Sequence, residues 1–213
     1  MNPLLIRRRG MMKAQGGGGA MVEIEYLEST GTQYIDTGVG LSTDCVAEIT
    51  AQFLAVGQSL QVMAGSRYST RNSGIIIALP TSGNLYCSVG DYSQSATSTA
   101  AKTDKHDFKM ERLTAYNNQR LTVDGSLTTG ASNQGRISTT PITLFAMNYP
   151  GFGGIINYSV GRIWSFKLTK SGSVVFDAIP VRVGTVGYMY DRVSGQLFGN
   201  LGTGDFILGP DIQ

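Results

Sequence analysis

The side chains that could carry acid–base or metal chemistry are few in this sequence. His106 is the single histidine among 213 residues, so a metal site with paired histidines is excluded and a Ser/His/Asp triad would depend on this one residue. Its neighbours in the run Thr103-Asp-Lys-His106-Asp-Phe favour solvated charges at the start of a strand over a catalytic histidine. The sequence contains no P-loop, no GxGxxG at a strand-to-helix junction and no CxxC. We therefore expect no cofactor.

Carboxylates are the other candidates, because glycosidases act through a pair of them. Glu23 and Glu25 share one face of an extended strand, whereas Glu28 does not share it if the strand is straight. Charged residues often protect an edge strand from aggregation, and we expect this run to be a solvated edge. Loop carboxylates that could bind calcium are sparse: Asp91, Asp104 and Asp107. We expect no catalytic residues, no metal site and no enzymatic activity.

Two loops carry aromatic residues. The polar segment 90–104 contains Tyr92, and the run Tyr149-Pro-Gly-Phe152-Gly-Gly is a glycine-rich aromatic turn. These rings could stack on sugar rings, with Asn148 as a neighbouring hydrogen-bonding group. Isolated surface aromatics are also common without any ligand, so both interpretations are open.

The elements that must position these residues are short strands. From Val22 onward apolar and polar residues alternate with period two, and Gly, Asn and Ser interrupt the alternation. The predicted strands are 22–27, 45–53, 60–65, 74–79, 84–89, 106–113, 120–123, 142–146, 161–168, 174–180, 188–191 and 196–198. Asn117-Asn118 predicts a tight hairpin, and 191–195 predicts a second one. A dozen short strands without a repeat or a helix favour a two-sheet sandwich.

The single tryptophan, Trp164, is predicted to lie in the core. In a straight strand Arg162, Trp164, Phe166 and Leu168 share a face, with Ile163 on the other. A buried tryptophan needs only one hydrogen-bond partner for its N–H group. This interpretation is favoured over a ligand-binding ring.

Charge is distributed unevenly along the chain. The formal net charge is +2, but residues 1–20 contain four basic residues and no acid, which leaves 13 basic and 15 acidic residues and a net charge of −2 for the remainder. A body without positive surplus lacks the electrostatic signature of a nucleic-acid-binding domain. No apolar run approaches the roughly 20 residues of a membrane helix. We expect no nucleic acid on the body and no membrane span.

The chain is predicted to divide into an N-terminal anchoring arm, residues 1–20, and a folded domain, residues 21–213. The arm combines an apolar tip, a basic run and a flexible hinge of four glycines, Gly16 to Gly19. Its anchoring residues are Leu4, Leu5, Ile6, Arg7, Arg8, Arg9 and Lys13. The apolar side chains would fill a groove on a partner and the basic ones would meet acidic groups; a disordered leader is the alternative.

The compartment is predicted from the start of the chain and from the cysteines. The apolar stretch precedes the arginines, which reverses the order in a secretion signal, and we expect synthesis and assembly inside a cell. Cys45 and Cys87 are expected to be free thiols, although the sequence leaves a disulfide open.

Several runs resemble a known family. They are Glu25-Tyr-Leu-Glu28-Ser-Thr-Gly31-Thr-Gln-Tyr34-Ile-Asp36-Thr-Gly38, Gly161-Arg-Ile-Trp-Ser-Phe166, Ile179-Pro-Val-Arg182, the run 187–200 and the run 202–210. They resemble the concanavalin A-like, LamG-like jelly-roll modules of phage structural proteins and of surface proteins of gut bacteria. The resemblance spans about residues 22–210, with the middle matched in strand rhythm alone. It implies an all-β fold, a two-sheet antiparallel jelly-roll sandwich with an extended N-terminal arm.

The resemblance implies two functions, because modules of one fold serve several. The first is a virion structural protein, a head-fibre or decoration protein of a tailed, crAss-like gut phage. It would be assembled in the host bacterial cytoplasm, form a trimer or dimer, and dock its arm on capsid or fibre subunits at the capsid surface. The alternative is a carbohydrate-binding lectin or adhesin module of a tail or receptor-binding fibre or of a bacterial surface protein. Its contacts with a host glycan would come from Tyr92, Asn148, Tyr149 and Phe152.

Overall fold

The structure is a computed structural model that describes residues 11–12, 19–57, 59–69, 72–81, 83–90, 95–113, 118–130 and 137–213. The anchoring residues Leu4, Leu5, Ile6, Arg7, Arg8, Arg9 and Lys13 lie outside the described residues, as do Tyr92 and Asn117. Within the described part, no helix is long and apolar enough to span a membrane.

The described residues form short strands throughout, as the alternation predicts. In chain order they are β1 (Met11–Met12), β2 (Met21–Glu23), β3 (Leu27–Thr30), β4 (Ile35–Asp36), β5 (Cys45–Phe53), β6 (Gln61–Ser69), β7 (Asn72–Leu79), β8 (Leu85–Gly90), β9 (Ala96–Ser98), β10 (His106–Arg112), β11 (Arg120–Val123), β12 (Ser126–Thr129), β13 (Thr143–Leu144), β14 (Met147–Tyr149), β15 (Gly154–Ile156), β16 (Val160–Lys170), β17 (Ser173–Val183), β18 (Val186–Asp191), β19 (Gln196–Gly199) and β20 (Ile207–Leu208). One turn of 3-10 helix, Pro150–Phe152, lies between β14 and β15.

Two sheets pack into a sandwich, which confirms the predicted fold class. Among the described residues the larger sheet has the order β1-β19-β18-β17-β16-β5-β10-β11-β12, with β2 beside β17, β3 beside β16 and β20 beside β3. The smaller sheet has the order β15-β14-β6-β7-β8-β9, and β13 joins β4 to β6. The pairing is antiparallel except for a short parallel contact between β14 and β6.

The core lies between the sheets and follows the alternation of the strands. β5 alternates without a break between buried and half-buried residues, so Ala47, Ile49 and Ala51 point inward and meet apolar residues of the smaller sheet. The smaller sheet is buried on both faces along β8, where Leu85 and Cys87 belong to the main core and Tyr86 to a second apolar cluster. Cys45 and Cys87 are free and buried.

The run 22–27 is not one strand, so that prediction is wrong. Ile24 and Leu27 both lie in the core, and residues three apart cannot share a face of a straight strand. The chain therefore bends between β2 and β3, where the N–H of Ile24 donates to the carbonyl of Pro180 at 3.1 Å. β2 and β3 then pair with two different strands, β17 and β16.

Three of the runs that carry the family resemblance, the first one and the runs 187–200 and 202–210, meet at one corner of the sandwich. The Oε1 atom of Gln33 accepts from the N–H of Thr30 at 2.9 Å, and its Nε2 donates to the carbonyl of Asp205 at 3.0 Å. At the end of the run 187–200, the Oδ1 atom of Asn200 accepts from the N–H of Tyr34 at 3.1 Å and from that of Gly202 at 2.8 Å. These side chains substitute for backbone pairing where the strands end, so the motif has a structural explanation that needs no ligand.

Candidate functional site

The predicted loop aromatics form a stacked pair at the edge of the smaller sheet. The rings of Tyr149 and Phe152 lie with centroids 5.5 Å apart and planes 26° from parallel, and we name this pair the aromatic platform. Tyr149 ends β14 and Phe152 ends the 3-10 turn that follows. The chain can reverse at once into β15 because Gly153 and Gly154 both adopt φ of 96°, a region that other residues rarely occupy.

Strand β6 supports the platform. The guanidinium carbon of Arg67 lies 5.3 Å from the centre of the Tyr149 ring, within the range of a cation–π contact. A Cβ atom on Gly151 would lie 2.8 Å from the carbonyl oxygen of Tyr68, so the turn rests on β6 at a distance that only glycine permits. Tyr149 also packs against the second apolar cluster, whereas the Phe152 side chain is 71% exposed. One ring is therefore anchored and the other is open to solvent.

Asn148 does not join the platform. It is half-buried, and its Nδ2 atom donates to the carbonyl of Pro141 at 3.1 Å, so the amide group holds the chain before β13. Of the four predicted glycan contacts, the structure brings together Tyr149 and Phe152, gives Asn148 a structural contact, and does not describe Tyr92.

The candidate acidic residues of the run 23–28 lie in different environments. Glu23 and Glu25 are exposed, as predicted for a solvated edge, but Glu28 is half-buried and accepts a hydrogen bond from the Nε atom of Arg162 at 2.6 Å. A solvated Glu28 was therefore the wrong expectation. Within the described ranges, no three His, Cys, Asp or Glu side chains are grouped so that they could hold a metal ion.

His106 begins β10 as predicted, but it is buried rather than solvated. Its Nδ1 atom lies 2.5 Å from Oδ2 of Asp124 and its Nε2 atom lies 2.7 Å from the carbonyl oxygen of Ala101. Both partners are acceptors, so both ring nitrogens donate and the charged imidazolium is favoured. Burial alone would lower the pKa of His106, but these hydrogen bonds and the charges of Asp124 and Asp104 raise it above the ordinary value. Neither nitrogen is left to activate a nucleophile.

Trp164 lies on the outer face of the larger sheet, so its prediction as a core residue is wrong. In the pairing of β16 with β5, Ile163 lies opposite Ala51 and Ser165 opposite Thr50, which leaves Trp164 as the extra residue of a β-bulge. The bulge directs Trp164 and Ser165 to the same outer face and returns Phe166 to the core. At the bulge β16 also changes its neighbour from β3 to β17.

Four side chains form a row around the bulge, with two rings in contact and one cation over each ring. The rings of Trp164 and Tyr26 lie 5.2 Å apart at 57°. The Nζ atom of Lys105 lies 4.5 Å from the centre of the Trp164 ring, and the guanidinium carbon of Arg162 lies 4.4 Å from that of Tyr26. We name Tyr26, Lys105, Arg162 and Trp164 the outer-face cluster.

A groove of about 440 Å³ continues along the same face from the bulge. Its floor contains a chain of polar side chains, in which Ser165 Oγ donates to Thr50 Oγ1 at 3.2 Å and Thr50 Oγ1 donates to Asp107 Oδ1 at 2.6 Å. Because Ser165 lies opposite Thr50 and Thr50 opposite Asp107, three neighbouring strands supply these groups at one level of the sheet. Ser165, which lines the groove, directly follows Trp164 of the outer-face cluster in the bulge, so the two adjoin on the same face of the sheet.

Two ion pairs also line the groove. Lys167 Nζ lies 2.6 Å from Glu48 Oε2, and Arg192 lies 2.8 Å from Asp177. Each pair crosses between strands or connects a strand to a turn. They supply fixed hydrogen-bonding groups without adding net charge.

The sequence held a signal for the bulge. If β16 were straight, the charged Arg162 and the apolar Phe166 would share one face, and the apolar Ile163 and charged Lys167 would share the other. One extra residue at 164–165 resolves both conflicts, because it places the two charges outside and the two apolar residues inside.

Comparison with known proteins supports the fold. No family model and no curated protein matches the chain. A similar solved structure is that of a "putative carbohydrate binding protein" from Bacteroides ovatus, with a TM-score of 0.58 and 8% sequence identity. The match covers 90% of this chain and 62% of that protein, so this chain spans less than two thirds of its length. At this identity the two proteins share a fold, and the resemblance to LamG-like phage modules stays a prediction.

Proposed function

We propose that this chain is a carbohydrate-binding β-sandwich module whose binding surface includes the aromatic platform. The observation that carries the proposal is the stacked pair of Tyr149 and Phe152, with one ring anchored and the other 71% exposed. Sugars present flat C–H faces and a rim of hydroxyl groups, and proteins bind them with aromatic faces beside polar groups. The fold shared with a "putative carbohydrate binding protein" supports the same class of function.

The proposed module binds without catalysis. His106 uses both ring nitrogens in the fold, and Glu28 is committed to Arg162. A glycosidase requires two carboxyl groups across one bond, with one of them protonated near neutral pH. Glu48 and Asp177 on the outer face are held in ion pairs with Lys167 and Arg192.

The substitution that tests the platform is Phe152→Ala. Binding to a panel of polysaccharides, measured by affinity electrophoresis and calorimetry, should weaken at least about tenfold, because an exposed aromatic anchor is typical of a binding hot spot. The melting temperature should be unchanged, since exposed substitutions usually alter stability by less than about 0.5 kcal/mol. Tyr149→Ala is less suitable, because this ring packs on the second apolar cluster.

The matched control is Val186→Ala, which removes an apolar side chain with 48% exposure from the hairpin between β17 and β18. It should leave binding and melting unchanged. Full binding by Phe152→Ala, or no binding of the unaltered chain to any glycan on a broad array, would contradict the platform as a sugar site.

The charge distribution favours a second candidate function, attachment to a virion as a capsid head-fibre or decoration protein. Residues 1–20 carry four basic residues and no acid, and they include four consecutive glycines, Gly16 to Gly19. An apolar and basic segment on a flexible hinge suits docking on an acidic partner such as a capsid or fibre subunit. In that setting the domain would form a trimer or dimer and present its surface to host glycans.

Deletion of residues 2–15 tests the attachment. We expect loss of the protein from particles while the melting temperature of the folded body is retained. In the full-length chain, docking should weaken with salt, because exposed charges are screened beyond about 8 Å at physiological ionic strength. Particles that carry the truncated protein at full occupancy would argue against this function.

A further inference from the structure

We propose that the outer face of the larger sheet is a second ligand site, distinct from the aromatic platform, which binds an uncharged oligosaccharide. The site consists of the outer-face cluster and the adjoining groove. It would bind its ligand with the Tyr26 and Trp164 rings at one end and with Thr50, Asp107 and Ser165 along the floor.

The first observation is the bulge itself. A regular β16 would present one residue of the pair Trp164 and Ser165 outward, whereas the bulge presents both. Bulges interrupt the ladder and often re-aim side chains near binding sites. Here the interruption places a large ring directly beside a hydroxyl group, which is the combination that the face and rim of a sugar require.

The second observation is the Lys105 ammonium group that lies over the Trp164 ring. The Lys105 side chain is exposed, and its Nζ atom lies over the Trp164 ring. An exposed cation–π contact contributes only about 0.5–1 kcal/mol. A sugar ring can therefore displace the ammonium group at little cost and then accept a hydrogen bond from it.

The third observation is the charge balance of this face, which indicates the class of ligand. Arg162 pairs with Glu28, Lys167 with Glu48 and Arg192 with Asp177. The groove residue Lys109 pairs with Glu111. Among the charged residues that form the outer-face cluster or line the groove, Lys105 and Asp107, of opposite sign, are the two outside the ion pairs of the described residues. A polyanion would meet Asp107 and a polycation would meet Lys105, whereas a neutral hydroxylated chain can accept from Lys105 and donate to Asp107.

The fourth observation is the size and shape of the surface. The groove volume of about 440 Å³ lies within the range of small-ligand sites, roughly 300–1,000 Å³. Its polar groups come from β5, β10 and β16, and hydrogen bonds between Ser165, Thr50 and Asp107 fix their positions. A preorganised row of this kind suits an extended chain of sugar units.

The chain carries its own reporter for this site, because Trp164 is its single tryptophan. Full-length protein is titrated with uncharged β-linked oligosaccharides of glucose, mannose and xylose while tryptophan emission is recorded. We expect a saturable change in emission with at least one of them, equally strong at low and high salt. The same titration with polygalacturonate should produce no change.

The variant that tests the groove is Asp107→Asn, which preserves shape at an exposed position and removes the charged acceptor. The oligosaccharide should bind about tenfold more weakly, because hydrogen bonds to charged groups are the stronger ones. The matched control is Asp205→Asn, the same change at an exposed residue between β19 and β20, and it should bind normally. The proposal would be overturned if Trp164 emission changed with none of the oligosaccharides or if Asp107→Asn left the change unaltered. It would also be overturned if polygalacturonate produced an equal change.

The aromatic platform is separated from this site by one further variant. In Phe152→Ala the Trp164 response should persist, because the platform belongs to the other sheet. Loss of the Trp164 response in Phe152→Ala would overturn the second site. If Phe152→Ala kept both the change in Trp164 emission and its full binding to polysaccharides, the aromatic platform would be overturned as a sugar site instead.

Discussion

The aromatic platform and the outer-face cluster both pair rings with a cation, but the chain assembles them in different ways. The rings of the platform come from one short segment, the end of β14 and the turn after it, which β6 and the second apolar cluster support. The outer-face cluster joins residues far apart in sequence, since Tyr26, Lys105 and Trp164 come from three separate parts of the chain. A local site is visible in the sequence as a motif, whereas the second exists only once four strands are in register.

The same difference predicts unequal tolerance of a single methyl group. A Cβ on Gly161 would lie 2.3 Å from the carbonyl oxygen of Gln52 on β5 and 2.4 Å from the Cε atom of Met63 on the other sheet. A Cβ on Gly151, in the short 3-10 turn, would lie 2.8 Å from the carbonyl oxygen of Tyr68, a less severe overlap. Gly161→Ala should therefore lower the free energy of unfolding by about 2–3 kcal/mol, and Gly151→Ala by about 1 kcal/mol.

Denaturant unfolding of the two variants measures this contrast. A larger loss in Gly151→Ala than in Gly161→Ala would mean that the platform, not the bulged strand, is the more rigid region. Gly57→Ala is a useful reference, because no atom lies within 4 Å of its Cβ position and only its φ of 75° opposes the change.

A change of pH should affect the region of the outer-face cluster, through the His106–Asp124 ion pair, but not the aromatic platform. The expected effect is smaller than those of the glycine substitutions. The pKa of His106 is raised, so the stability from its ion pair is present below the ordinary value of 6.5 and is lost as pH rises through the folded-state pKa. The pKa of Asp124 is lowered, chiefly by the N–H of Asp107 and also by His106, so its contribution is lost only as pH falls below the ordinary 3.8. Asp124 is half exposed, so we expect about 1 kcal/mol more stability at pH 5 than at pH 9.

The comparison variant for the pH effect is His106→Gln, in which this difference should vanish. His106 also holds the carbonyl of Ala101, four residues before Lys105. Tryptophan emission should therefore change on the way to pH 9, while Phe152-dependent binding stays constant. Identical pH profiles for the unaltered protein and His106→Gln would show that the ion pair contributes nothing.

The sequence predicted the fold class well because most strands are long enough to show their period. The strands 45–53 and 120–123 agree with β5 and β11 at both ends. The hairpin through 191–195 is also confirmed, with Asp191 opposite Gln196. Asp191 is buried there because its Oδ1 atom accepts from the N–H groups of Asp177 and Val193.

The missed features are those that period two cannot express. β1, β4 and β20 have two residues each, too few to define an alternation. The bend at residues 24–26 and the bulge at Trp164 each change the phase of the alternation. A prediction that continues the alternation through them places the following side chains on the wrong face of the sheet. The turn between β11 and β12 could have been predicted from its Asp124-Gly125 pair, because Asp-Gly favours tight hairpins with positive φ. Both residues do adopt positive φ, at 48° and 83°.

The two ends of the folded body lie side by side, and this position governs how the domain can be joined to others. Ile24 bridges to Asp211, the N–H of Ile212 donates to the carbonyl of Glu23 at 2.9 Å, and Arg182 pairs with Asp211 at 2.6 Å. In a body that begins at Met21, a polypeptide fused to its first residue and one fused after residue 213 would thus leave from the same corner. The domain has the geometry of a cassette: a short linker could close it into a permuted chain, and a single surface loop of another protein could accept it whole.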